Sequence, residues 1–340
     1  SYNVENLFDA ERTAGHDDIT HLPLSHPDKA KCAEITNEYY RKECESTDWT
    51  EEKVELKIGQ IVKVISEQGD MPDLLGVQEI ETELVARKLA DRLGLKEVLI
   101  TKGGDERGIN NALLFNPSKL RLIDWRSVSV KLDKGDTRDI LIANFGVGVK
   151  SAQVLTVAVN HWPSQGNMPQ QRVAAAQALR TELETEAKRF AKQEHHSIAI
   201  GDFNTIPSDE PHPFRDVLSA VSWNERMIAV NDLFRRAPNA DRKIRNGMPG
   251  GSYYFGNDWQ TLDYIFVDPG LTDGQGMEVM IESFRILGSE AGSAVGTLEI
   301  RSKLGEVFKQ SYRVPTGFEV LEDGRAIGAS DHYPVLVKLK

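Results

Sequence analysis

A chain of 340 residues with 41 Lys and Arg against 52 Asp and Glu carries a formal charge of −11 and a pI near 5.3. That acidity weighs against a repressor-type DNA binder, whose affinity is built on basic phosphate contacts, but not against an enzyme with a locally positive groove and bound cations. The length suits one large α/β domain or two smaller ones, and no stretch has the apolar length needed to cross a bilayer.

Ser1-Tyr2-Asn3-Val4-Glu5-Asn6-Leu7 opens the chain as a strand carrying amides and an acid. A strand at the first residue leads us to expect that any targeting segment lies outside this chain. Residues 9–48 read as a polar insertion with His16-Asp17-Asp18, Pro23 and Pro27, and hold both cysteines, Cys32 and Cys44. On one continuous helix these two stand roughly 18 Å apart, beyond disulfide reach, so pairing requires a break near Thr36-Asn37. A staple suits an exported protein, separate thiols a cytosolic one; the expectation is the disulfide. Thr50-Glu51-Glu52 gives a capping hydroxyl and first-turn acids to a helix striped with Val54, Ile58, Ile61, Val62 and Ile65.

Leu74-Leu75-Gly76-Val77-Gln78-Glu79 is an apolar strand ending in an acid, and a helix from about Thr82 to Leu93 stops at Gly94. Residues 111–160 read as several strands, the last delivering Asn160-His161-Trp162-Pro163-Ser164. A helix from about Gln170 to Lys192 turns Val173, Ala176, Leu179, Leu183 and Phe190 inward. The run His196-Ser197-Ile198-Ala199-Ile200 feeds Gly201-Asp202-Phe203-Asn204, and Leu262-Asp263-Tyr264-Ile265-Phe266-Val267 carries an acid inside an apolar strand. Residues 268–329, rich in glycine, read as an elaboration; Ser330-Asp331-His332 then precedes a last strand, Pro334 to Leu339.

Glycine or serine stands before the polar pairs, where the chain turns sharply. Side chains alternate with period two, so Asp202 and Asn204 leave their strand end in one direction and can share a phosphate or a metal ion. Taken singly, Gly-Asp-Phe-Asn is an ordinary Asx turn. Six strands that each bring Asp, Glu, Asn or His suggest instead one composite site at a sheet edge. Their spread along the chain argues for a single domain over 1–340, with insertions at about 9–48 and 268–329.

That ordered set resembles the endonuclease/exonuclease/phosphatase superfamily, the deoxyribonuclease I-like fold. The matching stretches are Tyr2-Asn3-Val4-Glu5-Asn6-Leu7, Gln78-Glu79, Thr137-Arg138-Asp139, Asn160-His161-Trp162-Pro163-Ser164, Gly201-Asp202-Phe203-Asn204, Leu262-Asp263-Tyr264 and Ser330-Asp331-His332. With Arg107-Gly108-Ile109-Asn110-Asn111-Ala112-Leu113-Leu114-Phe115, they look most like bacterial extracellular or periplasmic nucleases of that superfamily. The resemblance implies an α/β fold, a four-layer αββα sandwich; periodicity alone supports only strands facing helices.

By resemblance, Glu79 is the principal ligand of Mg2+ or Mn2+, with Asp331 and Glu5 or Asn3 completing the shell. Asp202 orients or deprotonates the attacking water, and Asn204 donates to a phosphate oxygen. His332 pairs with Asp263, a buried acid that needs a partner; whether Asp202 or His332 is the base stays open. His161 takes the phosphate or leaving-group side, and Arg138 clamps a phosphate oxygen or forms a surface salt bridge with Asp139 or Asp136. Asn110 and Asn111 stand where relatives often carry an acid, which puts a histidine-supporting role there in doubt. Trp162, Tyr253, Tyr254 and Trp259 are core aromatics or base-stacking ones, with Trp162 the candidate nearest the site.

The implied activity is that of a metal-dependent phosphodiester hydrolase, an endonuclease cutting DNA, or else RNA, with little sequence preference. It is expected to be a monomer without a membrane span, in the periplasm or outside the cell. The alternative is a phosphoesterase of the same fold acting on a lipid headgroup, inositol phosphate or nucleotide; a non-catalytic binding module is disfavoured because competent residues fill the site positions outside the Asn110 region.

Overall fold

Caps and apolar stripes set the first half of the fold. The computed structural model describes residues 1–340 except 68, 70, 134, 136, 149–152, 221–225, 238–244, 246 and 302–306. Its first elements are β1 (Tyr2–Leu7), α1 (Glu38–Ser46), α2 (Glu51–Ser66), β2 (Leu74–Ile80), α3 (Glu83–Leu93), β3 (Glu97–Ile100) and β4 (Asn110–Phe115). The Thr50 hydroxyl accepts from Lys53 N–H to start α2, and Thr82 does the same for α3 through Val85 N–H. Gly94, in a left-handed conformation, stops α3. The four strands form a sheet in the order β1-β2-β4-β3, with β1 parallel to β2. Val54, Ile58, Ile61 and Ile65 of α2 and Val85 and Leu89 of α3 bury against its outer face, over Val77, Ala112 and Leu114.

The second half comprises β5 (Arg121–Val128), β6 (Ile140–Val147), β7 (Gln153–His161), α4 (Pro169–Arg189), β8 (Glu194–Asp202), β9 (Ile228–Ala229), α5 (Val230–Arg236), β10 (Tyr253–Phe255), β11 (Asp258–Gln260) and β12 (Asp263–Val267). A six-stranded sheet runs β5-β6-β7-β8-β12-β9, with β7 and β8 parallel. Ala176, Leu179 and Leu183 of α4 cover its outer face over Ile142, Ala158 and Ala199. The two inner faces meet in a third core, where Leu113 and Phe115 pack with Phe145, Val157, Val159, Ile198 and Ile200. The layers are therefore helix, sheet, sheet, helix, a four-layer αββα sandwich. Each large aliphatic or aromatic side chain buried between them contributes about 1.5–3 kcal/mol, so the strand ends are held by a rigid frame.

Part of the segment that looked like an elaboration belongs to that frame. After β13 (Val279–Ile286), β14 (Ser293–Arg301), β15 (Val307–Pro315), β16 (Glu319–Val320) and β17 (Ala326–Ile327), the final strand β18 (Val335–Leu339) pairs antiparallel with β13. Val279, Phe284, Ile286 and Val335 enter the inter-sheet core. The excursion proper is the β14–β15 hairpin and the short β16–β17 pair.

In the insertion after β1, a 3-10 helix, Pro27–Glu34, breaks at residues 35–37, where the Asn37 side chain caps α1 by accepting from Tyr39 and Tyr40 N–H. That break brings Cys32 and Cys44 into a disulfide with Cα atoms 5.6 Å apart. Lys29 Nζ ties the same loop together through the carbonyls of Thr20, Cys44 and Thr47. The native protein is expected to show no titratable thiol until reduced. Cys32→Ser with Cys44→Ser should cost up to about 3 kcal/mol, and amide exchange should quicken within residues 19–49 while both sheets stay protected. Equal loosening of the sheets would mean that the insertion is part of the folding core.

Candidate active site

Three strand ends of the first sheet and its neighbours converge on the second sheet through one side chain. Asn3, buried, donates from its amide nitrogen to Glu79 Oε1 at 3.2 Å and to Asp202 Oδ2 at 3.1 Å. Its Oδ1 accepts from Glu5 N–H at 3.0 Å, and its carbonyl accepts from the Ser330 hydroxyl at 2.7 Å. The pairing of β1 with β2 slips between Asn3 and Leu7, and Glu5, Asn6 and Glu79 take positive φ of 49°, 56° and 62°. A left-handed residue inside a strand breaks the two-fold alternation and re-aims the side chain. Glu79 Oε2 accordingly turns back to accept from Asn6 N–H at 3.0 Å.

On the facing sheet, Gly201 lets β8 press against β7: a Cβ there would sit 1.9 Å from the Asn160 carbonyl oxygen at a φ of +145°. Asp202 follows it and accepts from Asn204 N–H on one oxygen (2.9 Å) and Asn204 Nδ2 on the other (3.1 Å). β12 places Asp263 opposite Asp202, and its Oδ2 holds His332 Nδ1 at 2.7 Å. His332 Nε2 then faces Asp202 Oδ2 at 3.8 Å and Asp331 Oδ1 at 3.9 Å, while His161 Nε2 lies 3.6 Å from Asp202 Oδ2 and 3.7 Å from Glu79 Oε1.

Charge is arranged unevenly in this space. Burial alone depresses a histidine, yet the carboxylates of Asp263, Asp331 and Asp202 outweigh it at His332 and hold its pKa well above the ordinary value. Burial and the nearby Arg138 and Arg107 push His161 the other way, well below its ordinary value, so that it is neutral. Burial raises Asp202 to about 7 against the pull of His332. Glu5 also rises to about 7, through burial opposed by Lys57 and reinforced by Asp331 and Glu79. Asp331 is raised by burial and by Glu79, against the pull of His332.

Glu79 stands near enough to Glu5 and Asp331 to raise the pKa of both, and Asp331 also raises that of Glu5. Glu5 Oε2 is buried and has no hydrogen-bond partner, an acceptor left for a ligand outside the chain. Among the described residues no three His, Cys, Asp or Glu side chains are gathered closely enough to hold an ion by themselves; Mg2+ needs only one or two carboxylates beside its waters. One or two of Glu79, Asp331 and Glu5, with water, would meet that demand.

Asn3 bridges acids through its nitrogen and accepts Glu5 N–H on its oxygen, which keeps a second lone pair for the expected ligand role. Several expected placements differ. Both Nδ2 hydrogens of Asn204 are committed, to Asp202 and to the Trp162 carbonyl at 3.1 Å, so Asn204 orients Asp202 and is not turned towards a phosphate. Arg138 is no open clamp: it is buried against His161, Trp162 and Asp105. Asp139 instead accepts from the Ser127 hydroxyl at 2.6 Å, and Asp136 lies outside the described residues. Asn110 and Asn111 reach backbone carbonyls of Glu81, Gly108 and Asp139 and do not support His161. Trp162 is a core residue, stacked edge-on against Phe203 with its indole N–H on Asn160; Tyr253 is the aromatic at the site, 4.8 Å from the His332 ring.

Two residues escaped the sequence reading. Lys57, buried, donates to the Glu5 carbonyl and stands among Glu5, Glu79 and Asp331, whose charge opposes the lowering that burial imposes on it. Its signal was a lysine between Val54 and Ile58 on the apolar stripe of α2. Arg107, partly exposed, donates to Asn6 Oδ1 at 3.2 Å and pairs with Asp105 at 3.4 Å.

Residues 25–340 match the Endonuclease/Exonuclease/phosphatase family. A search of curated proteins finds no match. Among solved structures the fold is similar to that of ANGEL2, a 2',3'-cyclic phosphatase in complex with adenosine-2',3'-vanadate, at 15% identity and a TM-score of 0.51 over 67% of this chain and 78% of that one. It is also similar to a functionally unknown conserved protein from Enterococcus faecalis V583, at 15% identity and a TM-score of 0.51 over 84% and 90% of the two chains. A humanized D. rerio TDP2 superposes at 14% identity and a TM-score of 0.50 over 84% and 92%.

The pairing of His332 with Asp263 has a pH signature. The raised folded-state pKa means that its stabilisation is full below the unfolded value of about 6.5 and is lost as pH rises through the folded value. Asp263→Asn should therefore lower stability more at pH 6 than at alkaline pH, as read from urea melts at both. Equal losses at the two pH values would mean that the pair is not an ion pair.

Proposed function

Since this chain belongs to the Endonuclease/Exonuclease/phosphatase family and is a phosphoesterase of that superfamily, we propose that it is a divalent-metal-dependent endonuclease that cuts DNA with little base preference. The observation that carries the reading is the constellation of Asp202, His332–Asp263 and the three carboxylates Glu5, Glu79 and Asp331 at one edge between two sheets. Phosphodiester hydrolysis needs an activated water, relief of the charge that grows on phosphate and a proton for the leaving oxygen.

Glu79, Asp331 and Glu5 would hold Mg2+ or Mn2+. Bound there, the ion supplies Lewis-acid stabilisation of the phosphoryl oxygens. Asp202, fixed on both oxygens by Asn204 and by Asn3, takes the proton of the attacking water. His332, charged through Asp263, gives the proton from Nε2 to the departing oxygen as the P–O bond breaks. His161 offers its Nε2–H, and Arg107 its guanidinium, to phosphate oxygens.

No helix among the described residues is long and apolar enough to cross a membrane, and among those residues no array of Arg or Asn on a groove-reading helix addresses base edges. Contacts from Arg107 and His161 would fall on phosphate, which every sequence presents alike. The disulfide supports an oxidising compartment, periplasmic or extracellular, and a monomer suffices because one chain supplies every group named.

A nicking assay on supercoiled plasmid tests the reading beside a panel containing a 2',3'-cyclic nucleotide, an inositol phosphate and a lipid headgroup. Open circle should precede linear product, chelation should abolish cutting, and Mg2+ or Mn2+ should restore it. Glu79→Gln should raise the metal concentration required and leave the melting temperature of the metal-free protein nearly unchanged. Cutting should weaken as salt rises. Intact plasmid beside turnover of a small phosphoester would replace the nuclease reading, and full activity in excess chelator would remove the metal.

A further inference from the structure

Arg138 stands in the segment just before β6, where the 103–105 loop presses against it so closely that a Cβ on Gly104 would lie 1.9 Å from the Thr137 carbonyl oxygen. Its Nε donates to His161 Nδ1 at 3.1 Å, one Nη donates to the Trp162 carbonyl at 3.1 Å, and the other faces Asp105 Oδ2 at 3.4 Å. Only a tenth of its side chain is exposed.

A guanidinium has five N–H donors, no acceptor and no accessible neutral form. Its contact with His161 is a hydrogen bond only if Nδ1 presents a lone pair. The ring proton must then sit on Nε2, the nitrogen that faces Asp202 and Glu79. Functional histidines are ordinarily supported the other way round, by an acceptor that holds Nδ1–H. His332 is supported in that ordinary way by Asp263. Among the described residues no acid takes this part at His161: Arg138 occupies Nδ1, and Asn110 and Asn111 bond elsewhere.

We infer that Arg138 is a positioning residue that locks His161 as a neutral Nε2–H donor. His161 then grips an oxygen of the phosphoester, and the proton of the leaving group comes from His332 alone. The second half of this statement rests on the phosphoesterase reading; the tautomer does not.

The experiment has two arms. In uniformly 15N-histidine-labelled protein, with His161 assigned by the loss of its signals in His161→Gln, the long-range 1H–15N spectrum at neutral pH should show a pyridine-type Nδ1 and a pyrrole-type Nε2. A protonated Nδ1, in either the other tautomer or the imidazolium, overturns the inference, whatever the enzyme cuts. For the second arm, Arg138→Met should lower kcat about 10–100-fold on whichever phosphoester is turned over, with KM little changed. The same substitution in a His161→Gln background should cost nothing further. Arg138→Lys, which also donates without accepting, should recover part of the rate. A loss of equal size in both backgrounds with a raised KM would make Arg138 a direct phosphate ligand and reject the positioning role. If Arg138→Met does not fold, the spectrum of the unaltered protein still decides; if no phosphoester is turned over, the functional reading fails while the tautomer stands or falls on its own.

Discussion

The site depends on a single buried carboxamide. Asn3 belongs to the first sheet, yet one of its N–H bonds ends on Glu79 in that sheet and the other on Asp202 in the second. Two carboxylates held near one another in a buried space repel, and a neutral double donor between them relieves part of that repulsion without adding a charge that a metal would have to displace. All the polar atoms of the side chain are used, because Oδ1 also fixes the start of the β1 kink at Glu5. Replacing such a residue removes one donor from each of two acids, leaving Glu79 with Asn6 N–H and Asp202 with Asn204, and weakened hydrogen bonding to buried charge is the costly kind.

The strained backbone follows from the same demand. Glu5, Asn6, Glu79 and Asn204 all take positive φ, a conformation that costs of order 1 kcal/mol or more for a residue with a Cβ. A left-handed residue interrupts the two-fold alternation of a strand and re-aims its side chain, as at Glu5 and Glu79. The strain is borne by packing: β1 and β2 are pinned by Val4, Leu7, Val77 and Ile80, all fully buried beneath α2 and α3. Lys57 joins the two tasks, because it packs within the helix–sheet core and donates to the carbonyl of the kinked residue itself.

Much of this was legible in the sequence, and what was not has a physical reason. Caps at Thr50 and Thr82, the stop at Gly94 and the helical stripe of α2 are local signals, and the structure follows them. The helix break that joins Cys32 to Cys44 was visible as a requirement of reach. The strand-end acids were visible because a polar residue in an apolar run is conspicuous. Side-chain direction was not. Arg138 looked like an open clamp because nothing in Thr137-Arg138-Asp139 reveals that the loop at Gly104 closes over it. Trp162, beside His161 in sequence, turns to the opposite layer because period two sends neighbours to opposite faces. Tyr253 arrives at His332 through a bridge between segments far apart in sequence that no local pattern encodes.

The net charge of the chain then takes on a different meaning from the one composition suggests. An acidic protein is a poor partner for a polyanion over most of its surface, so attraction must be local, and the described cations near the site are few. Lys57 is buried against a carbonyl and Arg138 is spent on His161, which leaves Arg107 and the charged His332 facing the cleft. Against them stand Glu5, Glu79, Asp331 and Asp202. The carboxylates repel one another and a phosphate alike, and burial raises Glu5 and Asp202 to about 7. A divalent ion held by these carboxylates would relieve that repulsion and favour an anion. On the proposed reading, recognition of a phosphoester and assembly of the catalytic charge would be one event.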